Sequence, residues 1–422
     1  MTAGPQSGER PVVSDAEAGF EVGEDFERFS QKDDVFCRSF WDPEVRTSRS
    51  DMFYETYRTP ELRWRPVEGF TRRDYALRNA SWHVTDLFAE FREGVDRREG
   101  FLDPYTVLRD GPGPPDESDE PEEVLAARLA VDLKTAARAL GADLIGITGY
   151  DERWVYTHAY SRETETEKPQ ELPGDLGNVV VIAQAMDRKL VQTVPSALSG
   201  TATGVGYSSD TVVLLAIAQY ILNMGYAAAP TMNDTALAIP LAIKAGLGEY
   251  GRHGLLITRE YGPRVRLGKI FTNMPLAHDR PRRFGVRETC EVCRACSDAC
   301  PPKAIAMDAP SDRVYNISNI RGVRKWTTDA EKCFRFWSNQ NTDCSICVRV
   351  CPYNRDYSRR LSRIWRWMAG TGLRRLALWL DRLSGRGRRV APDTWWGGTR
   401  LVGLNVAPGR GAQENRRKLR TE

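Results

Sequence analysis

The clearest periodic pattern in the chain lies in the segment EEVLAARLAVDLKTAARALGA, which begins at Glu122. Its apolar residues recur near the spacing that places them on one face of an α-helix. The run stops at Gly141, and glycine commonly lies just past a helix C-terminus. We therefore predict an amphipathic helix that ends there. Its apolar stripe consists of Leu125, Leu129, Val131, Leu133, Ala136 and Leu140.

Strands and a second helix are predicted farther along. ADLIGITGY and NVVVIAQAM are short apolar runs, rich in β-branched residues and bounded by glycine or polar clusters, as buried strands are. A polar excursion, RETETEKPQELPGDLG, separates them. The pattern from Ser208 to Gly225 has the length of a helix and ends at a glycine. The strand-like stretch YAAAPTMN follows it.

Gly246, Gly248 and Gly251 form a GxGxxG pattern. In dinucleotide-binding proteins this pattern follows a strand and opens a helix, so that the phosphates meet the helix N-terminus. Here an alanine-rich helical run precedes it, and no strand–helix–strand unit is established around it. We interpret the pattern as a tight loop and do not predict NAD binding.

Changes in composition and a proline-rich segment predict how the chain divides into regions. The part before residue 105 is polar and rich in aromatic residues, with periodicity too weak to define elements, so we expect irregular and helical structure draped over a core. The acidic, proline-rich segment from Gly111 to Glu123 is typical of a solvated linker. Beyond Gly397 we expect a frayed tail. The predicted regions are 1–125 (N-terminal), 126–285 (core), 286–357 (cysteine-rich) and 358–422 (basic, amphipathic).

The net charge bears on which partners we expect, and the lack of a recognisable targeting segment bears on where in the cell we expect the protein. Of the 422 residues 28% are charged, and the formal net charge is +3, which gives no strong case for nucleic acid as a partner. The N-terminus has neither the basic nor the apolar part of a secretory signal, and we find no window of eighteen apolar residues. We therefore expect a cytoplasmic protein that does not span a membrane.

The segment 359–382 alternates arginines with large apolar residues. Such a basic amphipathic segment is typical of peripheral contact with a membrane surface, and equally of packing against the protein's own body. The sequence leaves both interpretations open. The apolar members are Trp365, Trp367, Leu376, Leu378 and Trp379.

Eight of the nine cysteines lie in two runs. The first run, CEVCRACSDACP, extends from Cys290 to Cys300 and has the CxxCxxCxxxCP spacing of two-cluster ferredoxins. The second run repeats the ending CxxxCP at Cys351, while its most distant ligand, Cys333, lies farther upstream than a compact run would place it. A hairpin loop could absorb that insertion. The pattern therefore predicts two 4Fe-4S clusters.

In such domains the fourth cysteine of each run binds the cluster of the other run. We assign one cluster to Cys290, Cys293, Cys296 and Cys351, and the other to Cys300, Cys333, Cys344 and Cys347. Zinc and disulfides are weaker interpretations, because zinc sites favour CxxC pairs and disulfides favour small scaffolds in oxidising compartments. The ninth cysteine, Cys37, lies alone among aromatic residues, and we give it no role.

Clusters of this kind pass single electrons, so we expect residues 126–285 to hold an acceptor that collects them for chemistry. The sequence has no CxxCH motif for haem and no separate CxxxCxxC triad for radical chemistry. Its four histidines include no pair at helical spacing, which gives no support for a histidine-rich metal centre. A flavin and a corrinoid remain as candidates.

The segments NMGYAAAP, TMNDTALAIPLAIKAGLGEYGRHGLLIT and EYGPRVRLGKIFTNMPL, followed by FGVRETCEVCRACSDACP, resemble the corrinoid-dependent reductive dehalogenases. The resemblance covers residues 125–357. It implies an α/β fold, with a nitroreductase-like corrinoid-binding core and a C-terminal ferredoxin-like domain carrying two 4Fe-4S clusters. It also implies a cobamide bound base-off, in a pocket within residues 126–285. The absence of the DxHxxG motif agrees with base-off binding.

The family's catalytic Tyr, Asn and Arg correspond by this resemblance to Tyr207 in GVGYSSD, Asn233 in TMNDT and Arg266 in PRVRLGK. Replacing a carbon–halogen bond of an organohalide by carbon–hydrogen takes two electrons and one proton. Tyr207 would give the proton, and the Arg266 guanidinium would stabilise the phenolate left behind. Asn233 would orient the substrate or the leaving halide.

Two other functions stay open. One is an epoxyqueuosine-reductase-like enzyme acting on tRNA, which shares the corrinoid and the two clusters, and the other is an electron-transfer or corrinoid-carrying protein without catalysis. The first usually has a helical-repeat extension, for which the short arginine-rich tail is a poor substitute. Because the chain shows neither a twin-arginine leader nor an appended flavin reductase domain, we expect a non-exported protein that needs a separate electron donor: a ferredoxin, a flavodoxin or a reductase.

Overall fold

The computed structural model describes residues 14–55, 64–93, 120–161, 164–172, 176–385 and 387–398. Most of the predicted linker and the predicted frayed tail lie outside these residues. The helices are α1 (Asp15–Ala18), α2 (Val35–Trp41), α3 (Ser48–Glu55), α4 (Arg72–Glu93), α5 (Glu122–Ala139), α6 (Arg188–Val191), α7 (Ala197–Asn223), α8 (Ala238–Lys244), α9 (Val286–Val292), α10 (Ala295–Ala299), α11 (Ala330–Gln340), α12 (Ile346–Val350), α13 (Arg360–Ala369), α14 (Arg374–Leu383) and α15 (Pro392–Gly398). The strands are β1 (Leu144–Gly149), β2 (His158–Ser161), β3 (Thr166–Pro169), β4 (Asn178–Ala185), β5 (Ala228–Thr231), β6 (Gly248–Tyr250), β7 (Leu256–Thr258) and β8 (Val265–Thr272).

A four-stranded antiparallel sheet in the order β1–β4–β8–β5 lies at the centre. β4, β5 and β1 are the strands predicted from apolar runs. Successive side chains of a strand point to opposite faces, so Val180 and Ile182 enter one core, and Val179 and Val181 enter another. Burial of both faces explains why β4 is apolar almost throughout.

Helices α5 and α7 cover one face of the sheet, where Leu129, Leu133 and Ile217 pack against β4 and β8. The predicted helix therefore forms, but the predicted apolar stripe includes residues that do not face the core. Val131 is 63% exposed and Leu140 is 40% exposed. Val131 lies about 200° around the helix from Leu129, because successive residues are about 100° apart, and it therefore points to solvent.

Helix α7 begins at Ala197, eleven residues before the predicted start at Ser208. The Ser196 hydroxyl caps it by accepting a hydrogen bond of 3.1 Å from the Ser199 amide. Its length and apolar composition would suffice to cross a membrane, contrary to the sequence-based expectation. In the structure it is instead a core helix that packs against α4 and the sheet.

The N-terminal region contains a 22-residue helix, α4, where the sequence suggested mainly irregular structure. This helix packs along α7. A Cβ atom on Gly204 of α7 would lie 2.6 Å from Cδ1 of Trp82, so the close approach of the two helices requires glycine there. The predicted boundary between 125 and 126 falls inside α5, and the division into four regions stays a prediction.

The opposite face of the sheet is covered by α8 and by the segment around Trp154. Phe20 and Phe26 of the N-terminal region pack edge-on against this ring, each at 5.6 Å. A buried ion pair, Lys244 with Asp151 at 2.8 Å, lies beneath them. The N-terminal segment is thereby fixed to the core, where it forms part of the wall of a cavity described below.

Two other predicted features are located by the structure. The GxGxxG pattern runs from α8 into the short β6–β7 hairpin, with Gly246 at φ +75°, so it is the tight loop that we expected. The insertion between Cys333 and Cys344 is not a hairpin. It consists of most of α11 and a turn at Asn341, which adopts the left-handed conformation at φ +56°.

Candidate functional site

Tyr207, Asn233 and Arg266 meet at one point although three different elements carry them. The side-chain amide of Asn233 donates a hydrogen bond to the phenolic oxygen of Tyr207. Nη1 of Arg266 donates to the same oxygen at 3.2 Å. Two donors therefore converge on the Tyr207 oxygen. Among the described residues no acceptor is assigned to the phenolic O–H, so the proton is available to a bound molecule.

The fold explains this convergence. Asn233 lies two residues past β5, Arg266 lies near the start of β8, and the two strands are neighbours in the sheet. Tyr207 lies in the middle of α7, which crosses β8. A Cβ atom on Gly206 would lie 2.7 Å from Cγ of Arg266. The absence of a side chain at this position leaves room for the arginine beside the tyrosine.

Helix α4 supplies another wall of the site, which the sequence did not indicate. The ring of Trp82 lies 5.0 Å from the ring of Tyr207, centre to centre. The hydroxyl of Ser208 donates to the carbonyl oxygen of Ser81 at 2.7 Å, which ties the two helices together at this level. The apolar residues of α4 show only weak helical periodicity, so the sequence did not indicate this wall.

A buried carboxyl group, Asp210, lies one helical turn after Tyr207. Neither of its oxygens has a hydrogen-bond partner among the described residues. Burial raises the pKa of Asp210 to about 7, although the charges of Lys269 and Arg266 partly oppose this shift. Lys269 is also fully buried, and its ammonium group donates to the carbonyl oxygen of Met232, next to Asn233. Asp210 and Lys269 end the segments GVGYSSD and PRVRLGK, but sequence reasoning gave neither residue a role.

A cavity of about 790 Å³ adjoins the site. Its volume falls in the range of cofactor pockets. Its walls come from the core and also from segments outside residues 126–285, where we expected the corrinoid pocket to be contained. Cys37, to which the sequence gave no role, is one of the wall residues from the N-terminal region. Other lining residues are Phe36, Trp154, Tyr156, Asn233, Tyr250 and Trp326.

The cysteines assigned to the first cluster surround a second, much smaller cavity. Its lining includes all four of them: Cys290, Cys293, Cys296 and Cys351. Among the residues the structure describes, no three cysteine, histidine or acidic side chains converge on a single-ion site. Thiols spaced around a cavity suit a cluster, whose own iron and sulfide atoms fill the space between the ligands. Burial raises the pKa of the Cys296 thiol to about 11, so binding iron must displace a proton.

The cysteines assigned to the second cluster also lie near one another. Burial raises the pKa of Cys333 to about 12, and the neighbouring thiols of Cys344 and Cys300 add to this rise. Three of this set, Cys333, Cys344 and Cys347, are partly exposed, whereas Cys300 and all four cysteines of the first set are buried. The second set therefore lies nearer to solvent. The ligand assignment itself stays a prediction.

Arg252 and the two residues after it connect the small cavity to the large one. The buried guanidinium of Arg252 donates to the carbonyl oxygens of Cys290 and Cys293, at distances between 2.8 and 3.1 Å, and lies over the ring of Trp326. His253 lines the small cavity and Gly254 lines the large one. A cluster bound by the first set would thus be separated from the large cavity by a single layer of residues.

Comparison with protein families agrees with the predicted cysteine domain. A family profile described as "4Fe-4S double cluster binding domain" matches residues 289–354. The prediction of a domain that binds two 4Fe-4S clusters is therefore confirmed.

Comparison with curated proteins finds tetrachloroethene reductive dehalogenases. The chain is 38% identical over 264 residues to one from Desulfitobacterium hafniense, covering 53% of this chain and 47% of the relative. It is 34% identical over 326 residues to one from Sulfurospirillum multivorans, covering 69% of this chain and 63% of the relative. The chain thus spans about half to two thirds of the length of these relatives.

Comparison with solved structures identifies the same fold. The catabolic reductive dehalogenase NpRdhA superposes with a TM-score of 0.67 at 20% identity, covering 90% of this chain and 49% of that protein. At this identity the match concerns the fold alone. The predicted fold class, an α/β core followed by a two-cluster domain, is confirmed.

Proposed function

This chain belongs to the reductive dehalogenase family, and we propose that it replaces a halogen of an organohalide by hydrogen, using a base-off corrinoid supplied with electrons by two 4Fe-4S clusters. The observation that carries the proposal is the hydrogen-bonded group of Tyr207, Asn233 and Arg266. Such a group is able to give a proton to a molecule bound beside the cavity.

Tyr207 is the proton donor in this proposal. The reaction breaks a carbon–halogen bond, forms a carbon–hydrogen bond and releases halide, and it consumes two electrons and one proton. When the phenolic proton moves to carbon, negative charge develops on the tyrosine oxygen. The N–H groups of Asn233 and Arg266 already point at that oxygen, so they stabilise the charge without rearrangement.

The large cavity is the proposed corrinoid site. Its aromatic lining and its volume of about 790 Å³ suit a large planar cofactor. Asn233 is one of its lining residues and donates to the Tyr207 oxygen, so the proton donor lies directly behind this part of the cavity wall. A reduced corrinoid, when bound, supplies the electrons for cleaving the carbon–halogen bond. Tyr156 helps to fix the position of Asn233, because its hydroxyl donates to the carbonyl oxygen of Asn233 at 3.2 Å.

The two clusters are proposed to act in series. The first set of cysteines adjoins the large cavity through His253 and Gly254, and the second set lies nearer to solvent. Electrons would therefore enter at the second cluster and leave from the first. We propose that a separate ferredoxin, flavodoxin or reductase delivers them, and that the protein works in the cytoplasm.

Halide release is the test. The protein, reconstituted without oxygen with iron, sulfide and a corrinoid, is mixed with a chemical reductant and a panel of haloalkenes and halophenols. We expect halide and the hydrogen-substituted product in equal amounts from at least one compound. If the protein carries both clusters and the corrinoid but releases no halide from any compound, an electron-transfer or carrier role is favoured instead.

A further inference from the structure

One ring nitrogen of His253 accepts a hydrogen bond, and the other has no hydrogen-bond partner in the part of the chain that the structure describes. The residue is 5% exposed, and its Nδ1 accepts a hydrogen bond of 3.3 Å from the amide of Leu255. A neutral imidazole carries one N–H and one lone pair, so a ring that accepts at Nδ1 carries its proton on Nε2. That N–H is buried and has no hydrogen-bond partner among the described residues. A buried donor without a partner is costly unless a ligand satisfies it.

The imidazole lines the small cavity that the first set of cysteines surrounds. Gly251 lies next to the His253 ring: a Cβ atom on Gly251 would lie 2.9 Å from Cε1 of His253. The local backbone therefore leaves room for the ring at this place. Gly254, the next residue, lines the large cavity. His253 and Gly254 thus lie between the small cavity and the large one.

We propose that Nε2–H of His253 donates a hydrogen bond to a sulfur atom of the cluster bound by Cys290, Cys293, Cys296 and Cys351. The inference rests on the proposed ligation of that cluster. A hydrogen bond to sulfur stabilises the additional negative charge of the reduced cluster and so raises its reduction potential. A higher potential in the first cluster favours electron movement from the second cluster towards the large cavity.

Exchange of His253 for phenylalanine tests the proposal, because it keeps an aromatic ring and removes the donor. In anaerobic redox titrations followed by EPR, we expect one cluster of His253→Phe to have a potential more negative by about 59 mV, a tenfold change in its one-electron equilibrium. The other cluster should be unchanged. Tyr353→Phe is the matched control, since Tyr353 lines the same cavity but its hydroxyl contacts Thr289 at 3.1 Å. Its potentials should equal those of the wild type.

A second measurement uses the wild-type protein and does not depend on the variant folding. With histidine labelled with ¹⁵N, pulsed EPR of the reduced protein should show a coupling to one histidine nitrogen. No coupling, or wild-type potentials in His253→Phe, would overturn the inference. A wild-type protein without two cluster signals would instead contradict the proposed ligation, so the two failures are distinguishable.

A second inference concerns the C-terminal helix pair, α13 and α14, and rests on different observations. One side of the pair is fixed to the cluster domain: Trp365 packs edge-on against Tyr353 at 5.2 Å, and its indole N–H donates to the carbonyl oxygen of Ala377. Self-packing, one of the two sequence interpretations, therefore holds for this side. The other side carries large apolar residues that are exposed: Leu361, Ile364, Trp367, Leu373, Leu376, Trp379, Leu380 and Leu383.

The charged residues of the helix pair and of the segment after it are almost all positive, and Asp356, just before the pair, forms an ion pair with Arg359 at 3.3 Å. Residues 359–389 contain ten arginines and a single acidic residue, Asp381. Asp381 is buried and paired with Arg355, so it does not balance the exposed arginines. A protein partner would need a surface both apolar and strongly acidic. An anionic lipid surface offers both properties, because arginines bind its headgroups and tryptophans lie at the boundary with the acyl chains.

We infer that the exposed face of the C-terminal helix pair lies on the surface of an anionic membrane. Sedimentation with vesicles is the test. Wild-type protein should bind vesicles containing phosphatidylglycerol, should bind pure phosphatidylcholine at least tenfold more weakly, and should be released by salt. The double variant Trp367→Glu/Trp379→Glu should lose binding. Val131→Glu, an equally exposed apolar position on α5, should bind like the wild type.

Two results would overturn the inference. One is wild-type protein that stays in solution with both kinds of vesicle. The other is a dimer in analytical ultracentrifugation that the double variant abolishes, since the face would then be an interface between two copies of this chain. Neither tryptophan belongs to the proposed catalytic or cluster sites, so cluster content serves as the check that the variants are folded.

Discussion

Arg266 donates a hydrogen bond of 3.2 Å to the phenolic oxygen of Tyr207, and its guanidinium carbon lies 5.2 Å from the centre of the same ring. A fixed positive charge therefore stands beside the oxygen that becomes negative when the phenol loses its proton. In a partly buried site such a contact is stronger than it would be in water. This relationship distinguishes Tyr207 from the other tyrosines of the core and leads to the first two predictions.

Tyr207→Phe should abolish proton delivery while leaving the cofactors bound. The exchange removes one hydroxyl and keeps the volume of the ring, so the packing against Trp82 is retained. We expect the rate of halide release to fall by about 100-fold or more, as when a general acid is lost. Tyr220→Phe, about 20 Å farther along α7, is the control and should keep the wild-type rate. Equal rates for wild type and Tyr207→Phe would mean that the proton comes from another group.

Arg266→Lys should give an intermediate enzyme. Lysine keeps the positive charge, but it lacks the planar guanidinium group that lies over the Tyr207 ring and donates to the tyrosine oxygen. We expect a loss of about tenfold to a thousandfold in halide release, with a larger loss for Arg266→Gln, which removes the charge as well. Steady-state kinetics of both variants would check the order. If Arg266→Gln is as active as Arg266→Lys, the charge of this residue is not what stabilises the phenolate.

The parts of the fold that the sequence predicted are those with a strong local pattern. Helix α5 was predicted because its apolar residues recur at helical spacing, and β4 because it is a short apolar run rich in β-branched residues. Helix α4 was missed because its apolar periodicity is weak. The first half of α7 was missed, since Gly200, Gly204 and Gly206 weaken a helical pattern unless the neighbouring element is known. These glycines are explained by contacts between residues far apart in the chain, which no local pattern contains.

The candidate site shows the same limit. The cysteine runs predicted a two-cluster domain from spacing alone, because the ligand spacing is itself the chemical requirement. Tyr207, Asn233 and Arg266 were found only through a family resemblance, and Asp210 and His253 were not found. Their significance depends on burial and on which groups lie opposite them. The cavity walls likewise combine segments as far apart in the chain as Ala18 and Trp326.

Cys300→Ala should remove one cluster and leave its neighbour. In the predicted crossed ligation Cys300 belongs with Cys333, Cys344 and Cys347, although it lies in the first run. We expect iron to fall from about eight to about four atoms per chain, with the EPR signal of the first cluster retained. Cys37→Ala, at a buried cysteine outside both sets, should keep both clusters. Loss of the first cluster in Cys300→Ala would contradict the crossed assignment.

Gly206→Ala should separate stability from activity. Inside a helix, alanine is favoured over glycine by about 1 kcal/mol, so the exchange should not destabilise α7 itself. The new Cβ, however, would lie 2.7 Å from Cγ of Arg266 and would force that side chain away from Tyr207. We expect slower halide release with an almost unchanged melting temperature. Val205→Ala, at the exposed neighbouring position, should keep the wild-type rate, and a fully active Gly206→Ala would show that the arginine's position is not critical.

Asp210→Asn should change how stability depends on pH. The ordinary pKa of an aspartic acid is 3.8, and burial raises that of Asp210 to about 7 in the folded protein. Between these values the folded state holds a proton that the unfolded state has released, so Asp210 makes the wild type less stable as pH rises. Above about pH 7 the carboxyl is ionised in both states, and the effect reaches its limit.

Asparagine has nothing to release, so the variant should lack this decline. We therefore expect the melting temperature of the wild type, minus that of Asp210→Asn, to fall steadily from pH 5.5 to pH 7 and to level off above about pH 7. The exposed exchange Asp132→Asn on α5 should give a flat difference over the same range. A flat difference for Asp210→Asn would mean that its carboxyl is already ionised in the folded protein. In that case Lys269 and Arg266 would outweigh the burial of the group, and the acid beneath Tyr207 would be a permanent negative charge.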